Sequence, residues 1–313
     1  MNHFPIEAFF AVLAGMALAP LNLGVINKVK AFFAGRKGPP LTQLYSDLAK
    51  LAGKGAVYSR TTTWIFRFGP AMSLATTVLA LAMLPLGKTS ALVAFPGDFV
   101  VVAYLLGLGR FFVILAALDT GSSFEGMGAS REAKFSAIAE PALLLSLLAV
   151  LTVAPHEGLT PISAASSALF GAAWLAAVPV LCLVAVALFI VLLAENSRIP
   201  VDDPNTHLEL TMIHEVMVLD HGGPDFALIQ YGAALKLWVT SCVLVAVLIP
   251  WSFSLTGANA LVGMIGISAL AVAVGLVESS MARLRLTNVS QLLTAAIVLA
   301  GLAALLALSG ALS

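Results

Sequence analysis

Residues 168–194 read A-L-F-G-A-A-W-L-A-A-V-P-V-L-C-L-V-A-V-A-L-F-I-V-L-L-A, 27 residues without one charged side chain, and residues 195–203 then read E-N-S-R-I-P-V-D-D. About 20 apolar residues suffice for a helix to cross the hydrocarbon core of a bilayer. The run is unbroken and shows no two-residue alternation, so it reads as a helix and not as a barrel strand. Working outward, the same pattern recurs, with spans expected at 5–27, 65–87, 98–119, 136–155, 168–194, 227–251, 257–278 and 288–309. The fold class is therefore all-α. The chain reads as a polytopic membrane protein, a single integral membrane domain over 1–313, with about eight transmembrane helices and polar cytoplasmic loops.

Composition agrees. The chain is 60% hydrophobic and 10% charged, against about 25% charged residues in soluble domains. Its formal net charge of zero points to no nucleic-acid partner. Two cysteines, Cys182 and Cys242, sit inside apolar runs, whereas zinc and iron–sulfur sites take about four soft ligands at close spacing. No cofactor is expected on this chain, and any metal redox centre belongs to another subunit. Phe9–Ala19 has the apolarity of a signal-peptide core, but no Lys or Arg precedes it. It reads as an uncleaved first span.

Lysines and arginines set the orientation. Thirteen lie in the odd-numbered connections, eight of them in the first (Lys28, Lys30, Arg36, Lys37, Lys50, Lys54, Arg60, Arg67), and only Lys88 lies in the even-numbered ones. The odd connections are thus expected on the cytoplasmic side of the inner (plasma) membrane, with both termini outside. Within the first connection, Leu41–Lys54 carries apolar residues at helical spacing and Asp47, Lys50 and Lys54 on the other face. That pattern predicts a short interfacial helix.

Residues 195–225 hold seven of the sixteen carboxylates and three of the five histidines. A membrane chain that gathers titratable groups on one connection handles protons, ions or a docked partner there. Asn205–Leu219 reads as a helix opened by a Thr206–Glu209 capping box, with His207, Thr211, His214 and Glu215 on one side. Val218 stands where a zincin helix needs its second histidine, so no metal site is expected. Arg110, Lys236, Asp119, Glu140, Glu195 and Glu278 fall inside or at the ends of spans. An unpaired charge near the helix centre costs about 2.5–3.5 kcal/mol, so these groups are expected to meet as one buried, partly wet network. Grouped carboxylates repel, and some are expected to hold protons near neutral pH.

R-K-G-P-P at 36–40 with Gln43, Asp47, Lys50 and Leu51, the run from Arg131 to Glu140, E-N-S-R-I-P-V-D at 195–202 followed by Glu209 and Leu210, and R-L-R at 283–285 together resemble the respiratory complex I subunit 1 family. L-D-T-G-S-S-F-E-G-M-G-A-S-R-E at 118–132 and T-H-L-E-L-T-M-I-H-E at 206–215 resemble its hydrogenase branch, of the formate hydrogenlyase and hydrogenase-4 type. Asn205, His207 and H-E-V-M at 214–217 depart from the quinone-reactive branch. The resemblance implies a membrane anchor and coupling subunit of an energy-converting [NiFe]-hydrogenase complex. It implies hydrogenase large and small subunits, an iron–sulfur subunit and antiporter-like membrane subunits as partners, with the [NiFe] centre and iron–sulfur clusters on those partners. Glu125, Glu140, Glu195, Asp202, Glu209, Glu215 and Lys236 would carry proton or sodium coupling. Arg36, Lys37, Gln43, Asp47, Lys50, Arg131, Arg198, Arg283 and Arg285 would dock the soluble arm. The alternative is a quinone-reactive component of a respiratory dehydrogenase.

Overall fold

A computed structural model of the protein describes residues 6–155, 160–202, 212–253 and 257–311. Among these the fold is all-helical: α1 (Ile6–Phe33), α2 (Gln43–Ala52), α3 (Trp64–Met83), α4 (Asp98–Asp119), α5 (Ser123–Val153), α6 (Ile162–Ala168), α7 (Gly171–Glu195), a 3-10 turn (Glu215–Val218), α8 (Gly223–Leu248), α9 (Ala258–Ser280) and α10 (Leu286–Ala311). All but α2, α6 and the 3-10 turn are long and apolar enough to cross a membrane, which makes eight spans. Helix α8 is the axis of the bundle: 78% of its apolar window is buried inside the protein, against 33–44% for the other seven. Leu235, Cys242 and Leu244 of α8 share a core with Val184, Leu188 and Leu192 of α7. On the periphery Leu175, Ile265 and Leu305 point outward, the surface a lipid-embedded bundle presents.

With lipid tails as apolar as leucine, packing depends on close backbone approach through small residues. Gly69 of α3 faces Ala116 and the Phe112 carbonyl of α4, and Gly275 of α9 faces Val29 and the Ile26 carbonyl of α1. Helix α2 forms where the alternation of Leu41–Lys54 placed it, and its Tyr45 hydroxyl donates to the Ala17 carbonyl of α1. At the end of the bundle away from the basic loops, Lys88 is buried. Its ammonium donates to the carbonyls of Ser166, Leu169 (2.9 Å) and Ala246 (3.1 Å), tying the end of α6 to α8. The lone cation of the even connections is thus an internal brace.

Two expectations are corrected. The fourth span was expected from 136, but α5 begins at Ser123, so Arg131 and Lys134 are helical and not in a loop. The extension is polar only in composition. Glu125, Gly128, Ala129, Glu132, Phe135 and Ala139 form a buried stripe at helical spacing, facing protein instead of lipid. The second correction concerns the helix expected over Asn205–Leu219. Residues 203–211 lie outside the described residues, and 212–219 holds only the 3-10 turn. There the Asp202 carboxylate accepts the backbone N–H groups of Ile213 (3.1 Å) and His214 (3.2 Å), which draws them out of a helical ladder.

The strap at 212–221 lies on α5 at Gly128, where a Cβ would come within 3.0 Å of the Ile213 carbonyl and of Met217 Cγ and would collide with Val216. We expect Gly128→Val to cost about 1–3 kcal/mol through overpacking, read as a lower thermal midpoint and faster amide hydrogen exchange over 212–219. Gly126→Ala, with nothing within 4 Å of its Cβ, should change neither.

Candidate functional site

A cavity of about 670 Å³ opens beneath the basic loops, walled by α1, α2, α3, α4, α8 and the strap. Along its floor and flank runs a chain of charges. Arg110 of α4 is buried and touches three carboxylates: Nη2 lies 3.1 Å from Glu195 Oε1 and 3.5 Å from Glu140 Oε1, and Nε lies 3.7 Å from Glu132 Oε1. Lys236 of α8 holds the other oxygen of Glu195 at 2.8 Å. The second oxygen of Glu132 lies 3.1 Å from His214 Nε2, and His214 Nδ1 lies 3.8 Å from Asp202 Oδ2. The other oxygen of Asp202 meets Arg283 Nη2 at 2.9 Å. Among the described residues, Lys236, Glu195, Arg110, Glu140, Glu132, His214, Asp202 and Arg283 thus form one linked series drawn from four spans and two loops.

Local structure explains the aim of each group. Helix α7 ends in a Schellman turn: Arg198 N–H donates to the Leu193 carbonyl at 2.8 Å, Ser197 N–H to that of Ala194, and Ser197 takes a left-handed φ of 52°. Asn196 donates to Leu192 and to Thr240 of α8, fastening the end of α7 to α8. This leaves Glu195 pointing inward at Arg110 and Lys236. His214 is set by the backbone hydrogen bonds to Asp202. Burial alone would lower the pKa of His214, but Glu132 and Asp202 outweigh it and raise it to about 9. Burial acts to raise Asp202, yet the His214 side chain and Arg283 hold it below the usual range. Breaking a buried pair by removing one partner is far more costly than removing both, so these groups stand or fall together.

The geometry collects Glu140, Glu195, Asp202 and Lys236 as the sequence led us to expect, and Glu215 lines the same cavity. The expected single network is only partly formed. Asp119 instead holds the start of α3, accepting from Thr63 N–H at 2.6 Å, and Glu278 pairs with Lys30 (2.8 Å) and Arg198 (3.4 Å). Glu125 is fully buried but stands apart, accepting from Asp220 N–H at 3.0 Å. Glu209 lies outside the described residues.

Of the docking residues, Lys37 and Arg285 are exposed, and Arg36 is exposed beside a groove shared with Lys30 and Glu278. Gln43 donates to Asp47, which lies 3.9 Å from Lys50 on α2. Arg131 donates to the Met212 carbonyl at 2.9 Å and so supports the strap. Arg198 is buried against Glu278, an inward position and not a docking one. Glu132 and His214 were absent from the expected set. Glu132 lies seven residues after Glu125 and eight before Glu140, one helical face, legible once α5 starts at Ser123. Among the described residues no cluster of three or more His, Cys, Asp or Glu side chains is arranged to hold a metal ion.

Eight apolar helices around a buried charge chain define a multi-pass membrane subunit, and comparison with known proteins places it. The family model described as NADH dehydrogenase matches residues 6–309, and the chain belongs to that family. It is 34% identical over 279 residues to formate hydrogenlyase subunit 4 of Escherichia coli (strain K12), covering 86% of this chain and 88% of that protein. It is 36% identical to hydrogenase-4 component C of the same strain, covering 75% and 72% respectively. A chain in the structure of the membrane-bound sulfane sulfur reductase, an archaeal respiratory membrane complex, shares the fold with a TM-score of 0.78 at 22% identity, covering 96% of this chain and 98% of that chain.

Glu195→Gln strands the charge of Lys236, and Lys236→Met leaves Glu195 with Arg110 alone. Each single substitution should cost about 3–5 kcal/mol, with Lys236→Met at the low end because Lys236 is 18% exposed. The double variant should lose less than the sum, measured as thermal midpoints in detergent. Strictly additive losses would show that the two side chains do not act as a pair.

Proposed function

We propose that this chain is the membrane anchor and coupling subunit of an energy-converting, membrane-bound [NiFe]-hydrogenase complex of the formate hydrogenlyase type. In this reading it is one integral membrane domain in the inner (plasma) membrane, basic loops on the cytoplasmic side and both termini outside. The hydrogenase large and small subunits and an iron–sulfur subunit bind over the basic end, where Lys37, Arg285 and the polar face of α2 are presented. Those partners carry the [NiFe] centre and the clusters, and antiporter-like subunits in the membrane move protons or sodium ions.

The continuous charge chain supports this reading most directly. Arg110 sits among three carboxylates and Glu195 between two cations, so either can lean toward one partner at the expense of another. A charge change at the cavity wall then alters pairings deep in the bundle without net transfer of an atom through each step. Glu140 gives the chain a lateral outlet: its side chain is 39% exposed while Arg110 beside it is 6% exposed. That is where a membrane neighbour would receive the signal. A second reading, a quinone-reactive component of a respiratory dehydrogenase, is favoured by the cavity alone, since ligand pockets of about 300–1,000 Å³ with apolar walls and a few polar groups suit such ligands.

In the intact complex reconstituted in liposomes, Glu140→Gln should reduce the ion gradient formed per turnover by about 5- to 150-fold, the range for 1–3 kcal/mol of coupling, while hydrogen evolution from a soluble reductant persists. An undiminished gradient would make Glu140 structural. Turnover blocked by a quinone analogue, with no hydrogen formed, would favour the second reading.

A further inference from the structure

His214 is the one member of the charge chain that titrates near physiological pH without perturbation, and its two ring nitrogens face carboxylates from different elements. Glu132 comes from α5, at 3.1 Å, and Asp202 from the loop after α7, at 3.8 Å. Other charges press on it from every packed element: Arg131 of α5 through the Met212 carbonyl, Arg283 through Asp202, and Arg110, Glu195 and Lys236 through Glu132. Glu215 is its neighbour on the strap, and Asp47 of α2 lines the same cavity. In the linked series, among the described residues, four acidic side chains (Glu132, Glu140, Glu195 and Asp202) stand against the basic side chains of Lys236, Arg110, Arg283 and His214.

The placement of His214 between Glu132 and Asp202 favours a protonated ring. An imidazolium carries N–H on both nitrogens, whereas a neutral ring carries one N–H and turns a lone pair toward whatever faces the other. Between two carboxylates the neutral ring must set a lone pair against an anion. We propose that His214 is a proton-bearing clasp that fastens the strap at 212–219 to α5, and that the presence of this proton is how the membrane charge chain registers charge in the cavity that His214 lines. The second half of this statement rests on the coupling role proposed above; the first does not. When the clasp opens, the imidazolium gives its proton to cavity water, and the neutral ring keeps one carboxylate and releases the other. On closing, the ring takes the proton back from water. Negative charge arriving in the cavity holds the clasp shut, and positive charge loosens it.

The sign of the pH dependence follows from the raised value. The clasp's contribution is complete below about 6.5, the ordinary histidine value, and is lost as the pH rises through about 9.

The test uses the intact complex in liposomes between about pH 6 and about pH 10, with amide exchange over 212–219 corrected for intrinsic rate. In the wild type, protection should fall by about tenfold per unit of pH between about 6.5 and about 9 and level off above that, and the ion gradient per turnover should fall in the same window. His214→Gln should show weak protection at every pH and no transition. His214→Lys, with its fixed charge, should stay protected throughout the range. A wild-type transition that persists in His214→Lys, or no transition in the wild type, overturns the proposal even if His214→Gln fails to assemble. If protection follows His214 while the wild type forms no ion gradient, the clasp stands and the coupling role falls.

Discussion

Arg110 is the residue the rest of the structure answers to. A guanidinium at the centre of a span is tolerated only where protein, not lipid, surrounds it and where acidic partners restore what water would have given. Three spans contribute to that shell: α5 brings Glu132 and Glu140, α7 brings Glu195, and α8 brings Lys236 to balance Glu195 from the other side. None of these helices can rotate or slide by a turn without leaving a charge unpaired. The helix packing around α8 and the electrostatics of the site are therefore one constraint. The strap is held by the same logic, through His214 and Asp202, with Gly128 giving its backbone room to lie down on α5.

That constraint explains where the fold is rigid and where it can give. The end of the bundle away from the basic loops is braced by neutral and backbone partners, with Lys88 on three carbonyls and Asp98 accepting from Ile162 N–H at 3.0 Å. Nothing described there offers an alternative pairing of similar quality. The basic end offers several, because its acids and bases alternate and Arg110, Glu195, Glu132, His214, Asp202 and Glu278 each touch two or more groups of the opposite kind. Bistability belongs to the second kind of arrangement.

The eight spans were legible in the sequence because lipid-facing apolar residues carry a strong compositional signal, and α2 because its apolar spacing is helical with charge opposite. The first three turns of α5 were not, since their buried face is built from Glu125, Glu132 and small residues, and hydropathy scores that as loop. Arg110, Glu140, Glu195 and Lys236 could be suspected individually from their depth. A meeting of the buried charges was expected, but which of them would join it could not be read, because that depends on which face of each helix turns inward. Asp119 and Glu278 had the same linear credentials and are spent elsewhere, on Thr63 and on Lys30 with Arg198. Asp202 was singled out from the sequence and lies in the charge series, but its hold on the backbone of Ile213 and His214 is tertiary and left no trace in the spacing.

A chain of ion pairs has a direction only if its ends differ, and here they do. At one end Arg283 and Asp202 lie in the loops of the basic end, next to the strap that walls the cavity. At the other, Glu140 reaches the side of the bundle from the middle of α5, at a depth where the neighbour is lipid or another membrane chain. Between them the links span 3.1–3.8 Å and Glu132 and Arg110 are buried, so solvent screening, which acts over about 10 Å at the surface, is reduced there. In the coupling role proposed above, a perturbation entering at the loops would leave sideways through Glu140. In that same proposed role, the series read backward would let a charge at the lateral face influence the strap, as reciprocity between linked sites requires.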